Sequence, residues 1–214
     1  MPMSENISGN SAGRRKKIGI LGGTFNPIHY GHLIIAENAC CQFELDQVIF
    51  LPAGHSPHKQ FAGEDMTAHR SRMVELAVEE NPRFSVSYRE VDSAEISYTY
   101  RTLESLKEHS PDTDFYFILG ADSLFDFDTW RHPERICQSA VLLAAVRAGL
   151  KGEAFDRQIE HLRTTYGGTV YRLDTPNFDI SSREIRERAA CGRTIHYLLP
   201  QKAEDYIHEH NLYK

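Results

Sequence analysis

The stretch LGGTFNPIHYGHL, residues 21–33, decides how the rest of the chain is read. It continues the apolar run KIGIL at 17–21, which reads as a buried strand. Gly22 and Gly23 then let the backbone turn sharply and let a ligand approach closely. Pro27 suits the approach to a helix and cannot sit in its interior. A helix beginning near Tyr30 would present its first N–H groups and its positive dipole end to the loop. Strand, glycine turn and helix start together make an anion site that needs no lysine. No P-loop lysine closes the stretch, and no third glycine completes a dinucleotide fingerprint. His29 and His32 are three residues apart, so both imidazoles can face the same way at the helix entry and donate to phosphate oxygens. Gly31 keeps the first turn uncluttered. From this pattern alone, a glycine turn with two surface histidines is an equal reading.

Outward from this stretch, apolar runs alternate with helical spacing. Strands are predicted at 17–21, 47–52, 83–87, 115–120, 139–146 and 169–173. Helices are predicted at 32–43, 67–80, 98–110, 153–167, 181–190 and 200–210, with Thr67 as N-cap of the second and Asn81-Pro82 as its stop. Strands rich in Val, Ile, Leu and Phe, separated by helices, indicate a parallel sheet covered on both faces. The expectation is one Rossmann-like, doubly wound α/β domain over 17–214, closed by C-terminal helices, after a polar leader at 1–16. Its RRKK segment (14–17) reads as a solvated lead-in. Such sheets bind ligands beyond the carboxyl ends of their strands, where the strand order switches.

Composition excludes several classes. The 214 residues are 41% hydrophobic and 25% charged, enough for one ordinary core. No run of eighteen apolar residues exists and the N-terminus lacks an apolar signal core, so neither a membrane partner nor secretion is expected. The formal charge of −6 argues against nucleic acid as a partner but permits a small phosphate ligand. Four cysteines show neither zinc spacing nor a disulfide framework, which fits a reduced, cytoplasmic setting. The sequence leaves a homo-oligomer open.

A second signal lies late in the chain. ISSREIR (180–186) contains Ser181 and Glu184 at the spacing of a capping box. Ser182 and Arg186 are four apart on one helix face, beside the exposed amides of a first turn. A hydroxyl, amides and a guanidinium there suit a pyrophosphate; a cap with a salt bridge is the blander alternative.

Together the two motifs carry a resemblance. GGTFNPIHYGH resembles the GGTFDPxHxGH signature of the nucleotidylyltransferase superfamily, and ISSREIR resembles its ISSTxIR signature. LPAGHSPHK (51–59), ISYTYRTL (96–103), ILGADSLFDFDTW (118–130) and YLLPQKAEDYIHEHNLY (197–213) resemble segments of the bacterial nicotinate-nucleotide adenylyltransferases. The resemblance implies adenylyl transfer from ATP to nicotinate mononucleotide (NaMN), giving deamido-NAD and pyrophosphate, with Mg2+ accompanying ATP. It assigns Gly22, Gly23, Thr24, Phe25 and Asn26, with His29 and His32, to the ATP phosphates. Ser181, Ser182 and Arg186 go to the triphosphate, with Lys59 nearby. Gly120 and Asp122 go to the adenosine ribose and Arg147 to the adenine end. Asp122 could equally cap the helix after the fourth strand. Thr99 and Trp130 would flank the nicotinate ring, although a lone tryptophan is more often core.

Four departures stand out. Asn26 replaces a commoner aspartate, Arg101 replaces the aspartate of the YTxDT segment, and Arg183 replaces threonine and would add a cation near the triphosphate. Pro133 stands where a second tryptophan often walls the pocket. Rival readings are another mononucleotide or phosphopantetheine adenylyltransferase, or a non-catalytic nucleotide sensor.

Overall fold

The computed structural model describes residues 14–54, 65–93, 96–146, 152–176 and 178–214. Among them six strands form one parallel sheet: β1 (Lys16–Gly23), β2 (Gln47–Pro52), β3 (Phe84–Val86), β4 (Thr113–Leu119), β5 (Val141–Ala145) and β6 (Val170–Leu173). Their spatial order is β3-β2-β1-β4-β5-β6, so the order reverses between β1 and β4. The register sets Gly23 beside Pro52 and Ile20 beside Phe117, so the glycine turn stands at the carboxyl end of the sheet.

Alternation along the strands explains the two layers. Leu21, Val48, Phe50, Ile118 and Leu143 face one core; Ile18, Ile20, Leu51, Phe117 and Leu142 face the other. The first core is covered by α1 (Tyr30–Phe43), α2 (Asp65–Val78), α7 (Ser182–Ala190) and α8 (Gln201–Glu209). The second is covered by α3 (Thr99–His109), α4 (Ala121–Phe125), α5 (Pro133–Ser139) and α6 (Glu153–Tyr166). Each fully buried Leu, Ile or Phe contributes roughly 1.5–3 kcal/mol. Gly19 lets β1 pack closely, since a Cβ there would stand 2.9 Å from both Leu45 and Val48. The doubly wound α/β expectation is borne out.

Three expectations change. The helix predicted from Thr67 begins at Asp65, and the Thr67 hydroxyl instead accepts from Arg70 at 3.2 Å. Helices α4 and α5 are additional; α5 ends at Ser139, so the fifth strand starts at Val141 rather than 139. At five and seven residues they are too short for a helical period to stand out. RRKK is solvent-exposed at Arg14, Arg15 and Lys16, as expected of a lead-in, but β1 already begins at Lys16, and Arg15 donates to Asp114 at 2.6 Å and to the Pro111 carbonyl at 2.8 Å. No helix among the described residues is long and apolar enough to cross a membrane.

Candidate active site

The loop after β1 is shaped by aromatic packing. Phe25 takes a left-handed backbone (φ 48°), a conformation that costs an L-residue about 1–2 kcal/mol. Burial offsets that cost: its ring, 2% exposed, lies edge-on to His32 at 5.0 Å and tilted against Phe50 at 5.9 Å. A Cβ on Gly23 would stand 2.9 Å from this ring, so Gly23 must lack one. The Asn26–Pro27 bond is cis.

His29 is the N-cap of α1, as the expected helix start near Tyr30 requires. Its ring stands 3.7 Å from that of His32, so the two imidazoles are neighbours. The His29 N–H donates to His32 Nδ1 at 3.2 Å. A neutral His32 therefore carries its proton on Nε2, which serves as an N–H donor. Gly31 is fixed by the same packing: a Cβ would meet Phe178 at 2.8 Å and the His29 ring at 2.9 Å.

The late motif is clasped onto this loop. Ser182 Oγ donates to the Pro27 carbonyl at 2.8 Å, and Arg186 Nη1 donates to the Asn26 carbonyl at 2.7 Å. The Tyr213 hydroxyl donates to Asn26 Oδ1 at 2.6 Å, which gives the asparagine a local role. The Tyr30 N–H reaches the Leu198 carbonyl at 3.0 Å. Ser181 caps α7 by accepting from the Glu184 N–H at 3.1 Å. The Glu184 carboxylate pairs with Arg188 at 2.7 Å instead of closing a capping box. Arg183 pairs with Glu187 at 3.0 Å on an exposed face, not with the clasped loop.

A buried arginine escaped the sequence reading. Arg70 is 0% exposed and donates to the Thr24 carbonyl at 2.6 Å and the Ala53 carbonyl at 2.9 Å. It joins the ends of β1 and β2 and sets a cation beneath the glycine loop. Burial pulls its pKa down from the usual value. An arginine in helical spacing with apolar neighbours gave no sequence signal for that role.

Beside the loop opens a cavity of about 370 Å³, lined among others by Gly22, Gly23, Thr24, Thr99, Trp130 and Glu90. The expected ring-flanking pair, Thr99 and Trp130, therefore shares a wall with the glycine turn. Trp130 is stacked on Phe127 at 5.4 Å and lies edge-on to Phe117 at 6.1 Å. Glu90, also unforeseen, accepts from the Thr102 hydroxyl at 2.8 Å. Burial pushes its carboxyl above the usual range, and the Thr102 bond opposes that shift. Its backbone is packed so tightly that a Cβ on Gly54 would stand 1.9 Å from its carbonyl oxygen.

A smaller cavity, about 30 Å³, lies at the ends of β4 and β5 and is lined by residues including Gly120, Ala121, Val146 and Phe178. Gly120 is the N-cap of α4, and Asp122 sits exposed in its first turn. Phe178, which lines this cavity, also packs near Gly31 at the start of α1. Lys59 and Arg147 lie outside the described residues.

The Cytidylyltransferase-like family model matches residues 20–188. The chain is 42% identical to a probable nicotinate-nucleotide adenylyltransferase of Thermoanaerobacter over 94% of its length and 96% of that protein. It is 44% identical to another, from Citrifermentans bemidjiense, over 92% of its length and 98% of that protein. Its fold is similar to that of the nicotinic acid mononucleotide adenylyltransferase of Plasmodium falciparum complexed with NaAD, with a TM-score of 0.75 at 23% identity. That likeness covers 92% of this chain and 97% of the other.

Proposed function

The chain belongs to the nicotinate-nucleotide adenylyltransferase family, and from that premise we propose that it is a cytoplasmic enzyme transferring the adenylyl group of ATP to NaMN. The products are deamido-NAD and pyrophosphate. One observation carries the reading: the helix of the late motif bonds directly to the histidine loop, beside a cavity holding Thr99 and Trp130.

The acceptor's 5′-phosphate attacks the α-phosphorus of ATP, forming the new P–O bond as the bond to pyrophosphate breaks. The nucleophile is already an anion, so no general base is needed. The obstacle is bringing anions together and stabilising charge on the leaving group. Positioning and fixed positive donors answer it. Nε2 of His32, the neighbouring His29, the amides at the start of α1, and the remaining N–H groups of Arg186 supply them. Ser181 and Ser182 lie at the opposing helix start, and Lys59 adds a further cation. Gly120, Asp122 and Arg147 serve the nucleoside.

ATP enters as its Mg2+ complex. Among the described residues no group of three or more His, Cys, Asp or Glu could hold a metal ion. Mg2+ would be supplied with ATP as a hard cation suited to oxygen ligands. When bound, it offsets phosphate charge.

Pyrophosphate release with MgATP, measured against NaMN, NMN and phosphopantetheine, tests the reading. Release with NaMN is expected. Nucleotide binding without release from any acceptor supports a sensor instead, and release with phosphopantetheine alone a different adenylyltransferase.

A further inference from the structure

Side chains from distant segments hold the glycine–histidine loop in place. Arg70 donates to the Thr24 carbonyl at 2.6 Å, Arg186 to the Asn26 carbonyl at 2.7 Å and Ser182 to the Pro27 carbonyl at 2.8 Å. These three take the loop by its backbone. The Thr24–Phe25 peptide is trans, so its N–H points away from the buried guanidinium of Arg70. Tyr213 differs from the other three. Its hydroxyl takes the loop by a side chain, donating to Asn26 Oδ1 at 2.6 Å across 187 positions of sequence.

The segment after α8 is built to bring that hydroxyl there. The Leu212 N–H donates to the Ile207 carbonyl at 3.0 Å, and the Leu212 side chain is buried in the first core. Asn211 and Tyr213 on either side are both left-handed (φ 52° and 65°), a region that L-residues seldom enter. The chain thus folds back on itself, and the Tyr213 ring packs against the first core. Helix α8 lies on α2, which carries Arg70. Burial pushes the Tyr213 phenol above its usual pKa, while the nearby guanidinium groups of Arg186 and Arg70 oppose the shift. The hydroxyl therefore keeps its proton at neutral pH and can donate it.

We propose that Tyr213 is a positioning residue for adenylyl transfer, fixing the phosphate loop through the side chain of Asn26. This rests on the function proposed above, which puts the ATP phosphates at that loop. The ring alone would fasten the segment after α8 to the core, and phenylalanine would serve that purpose equally. The hydroxyl answers a different need. It holds the Asn26 amide in one orientation, between the carbonyls that Arg70 and Arg186 hold. Without it the amide is free to rotate, and the loop can leave the geometry in which its donors meet the phosphates. Tyr213 lines neither of the two cavities, so its effect belongs to ATP rather than to the acceptor's ring.

The test is a double-mutant cycle in the full chain, with folding checked by circular dichroism. Steady-state kinetics with MgATP and NaMN are measured for Tyr213→Phe, Asn26→Ala, Asn26→Asp and each Asn26 variant combined with Tyr213→Phe. Loss of one hydrogen bond predicts that Tyr213→Phe raises KM for ATP about three- to tenfold and leaves KM for NaMN unchanged. In the Asn26→Ala background the hydroxyl has already lost its acceptor, so Tyr213→Phe should cost less than about twofold. Asn26→Asp keeps an oxygen acceptor, so there the full sensitivity to Tyr213→Phe should return. Equal rises in both KM values would mean a general structural role and would overturn the assignment. An unaltered KM for ATP in Tyr213→Phe, or losses that simply multiply in the Asn26→Ala cycle, would overturn it too. If the wild-type chain releases no pyrophosphate with NaMN, the functional reading fails by itself. The same cycle read as MgATP affinity by calorimetry then decides on Tyr213 separately.

Discussion

His32 is the residue on which the chemistry can be tried most directly. Its Nδ1 accepts from the His29 backbone, which leaves Nε2 as the donor. Removing one preorganised donor to developing charge typically costs about 100-fold or more in turnover. His32→Ala should therefore lose kcat by that order while KM for ATP changes little, as steady-state kinetics would register. Normal turnover in a folded mutant would eliminate the transition-state role. Gly23 makes a different prediction. An added methyl would meet a Phe25 ring already wedged against His32 and Phe50. Overpacking of this kind costs typically 1–3 kcal/mol, roughly. Gly23→Ala should lower the denaturant midpoint accordingly and displace the loop.

At the scale of elements, α7 acts through two adjacent serines with separate duties. Ser181 caps the helix, so Ser181→Ala should cost about 1 kcal/mol in denaturant unfolding. Ser182 ties the helix to Pro27, so Ser182→Ala should loosen the clasp and raise KM for ATP. A Ser182→Ala enzyme with unaltered KM would show that the clasp does not shape the phosphate loop. The elements themselves were largely legible beforehand. Long strands such as 47–52, read to the residue, announce themselves by continuous apolar character. Capped helices such as α7 announce themselves by serine and spacing. What stayed hidden was short or tertiary. Helices α4 and α5 carry too few turns for periodicity to register. The anchoring of Arg70 and the burial of Glu90 depend on which segments meet across the sheet. Arg183 was expected near the triphosphate from its place in the ISSTxIR-like motif; it pairs with Glu187 on an exposed face.

For the whole molecule, the Glu90 carboxyl links stability to pH in an uncommon sense. Its folded-state pKa is raised by burial. Such a group contributes stability below the unfolded carboxylate value of about 4.3 and loses that contribution as pH climbs through the folded value. Above the unfolded value the raised pKa is a net cost to the folded state. Glu90→Gln should therefore raise Tm at pH 7, with the gain shrinking toward pH 4; a gain independent of pH would exclude ionisation as its source. The clasp between loop and late helix also has a temporal side. Ser182 meets a carbonyl 155 positions earlier, and Arg186 one 160 positions earlier. On the ribosome, the histidine loop emerges long before the partners that hold it. A nascent chain halted before α7 would lack the finished nucleotide cradle, so competence to react arrives late in synthesis rather than growing with it.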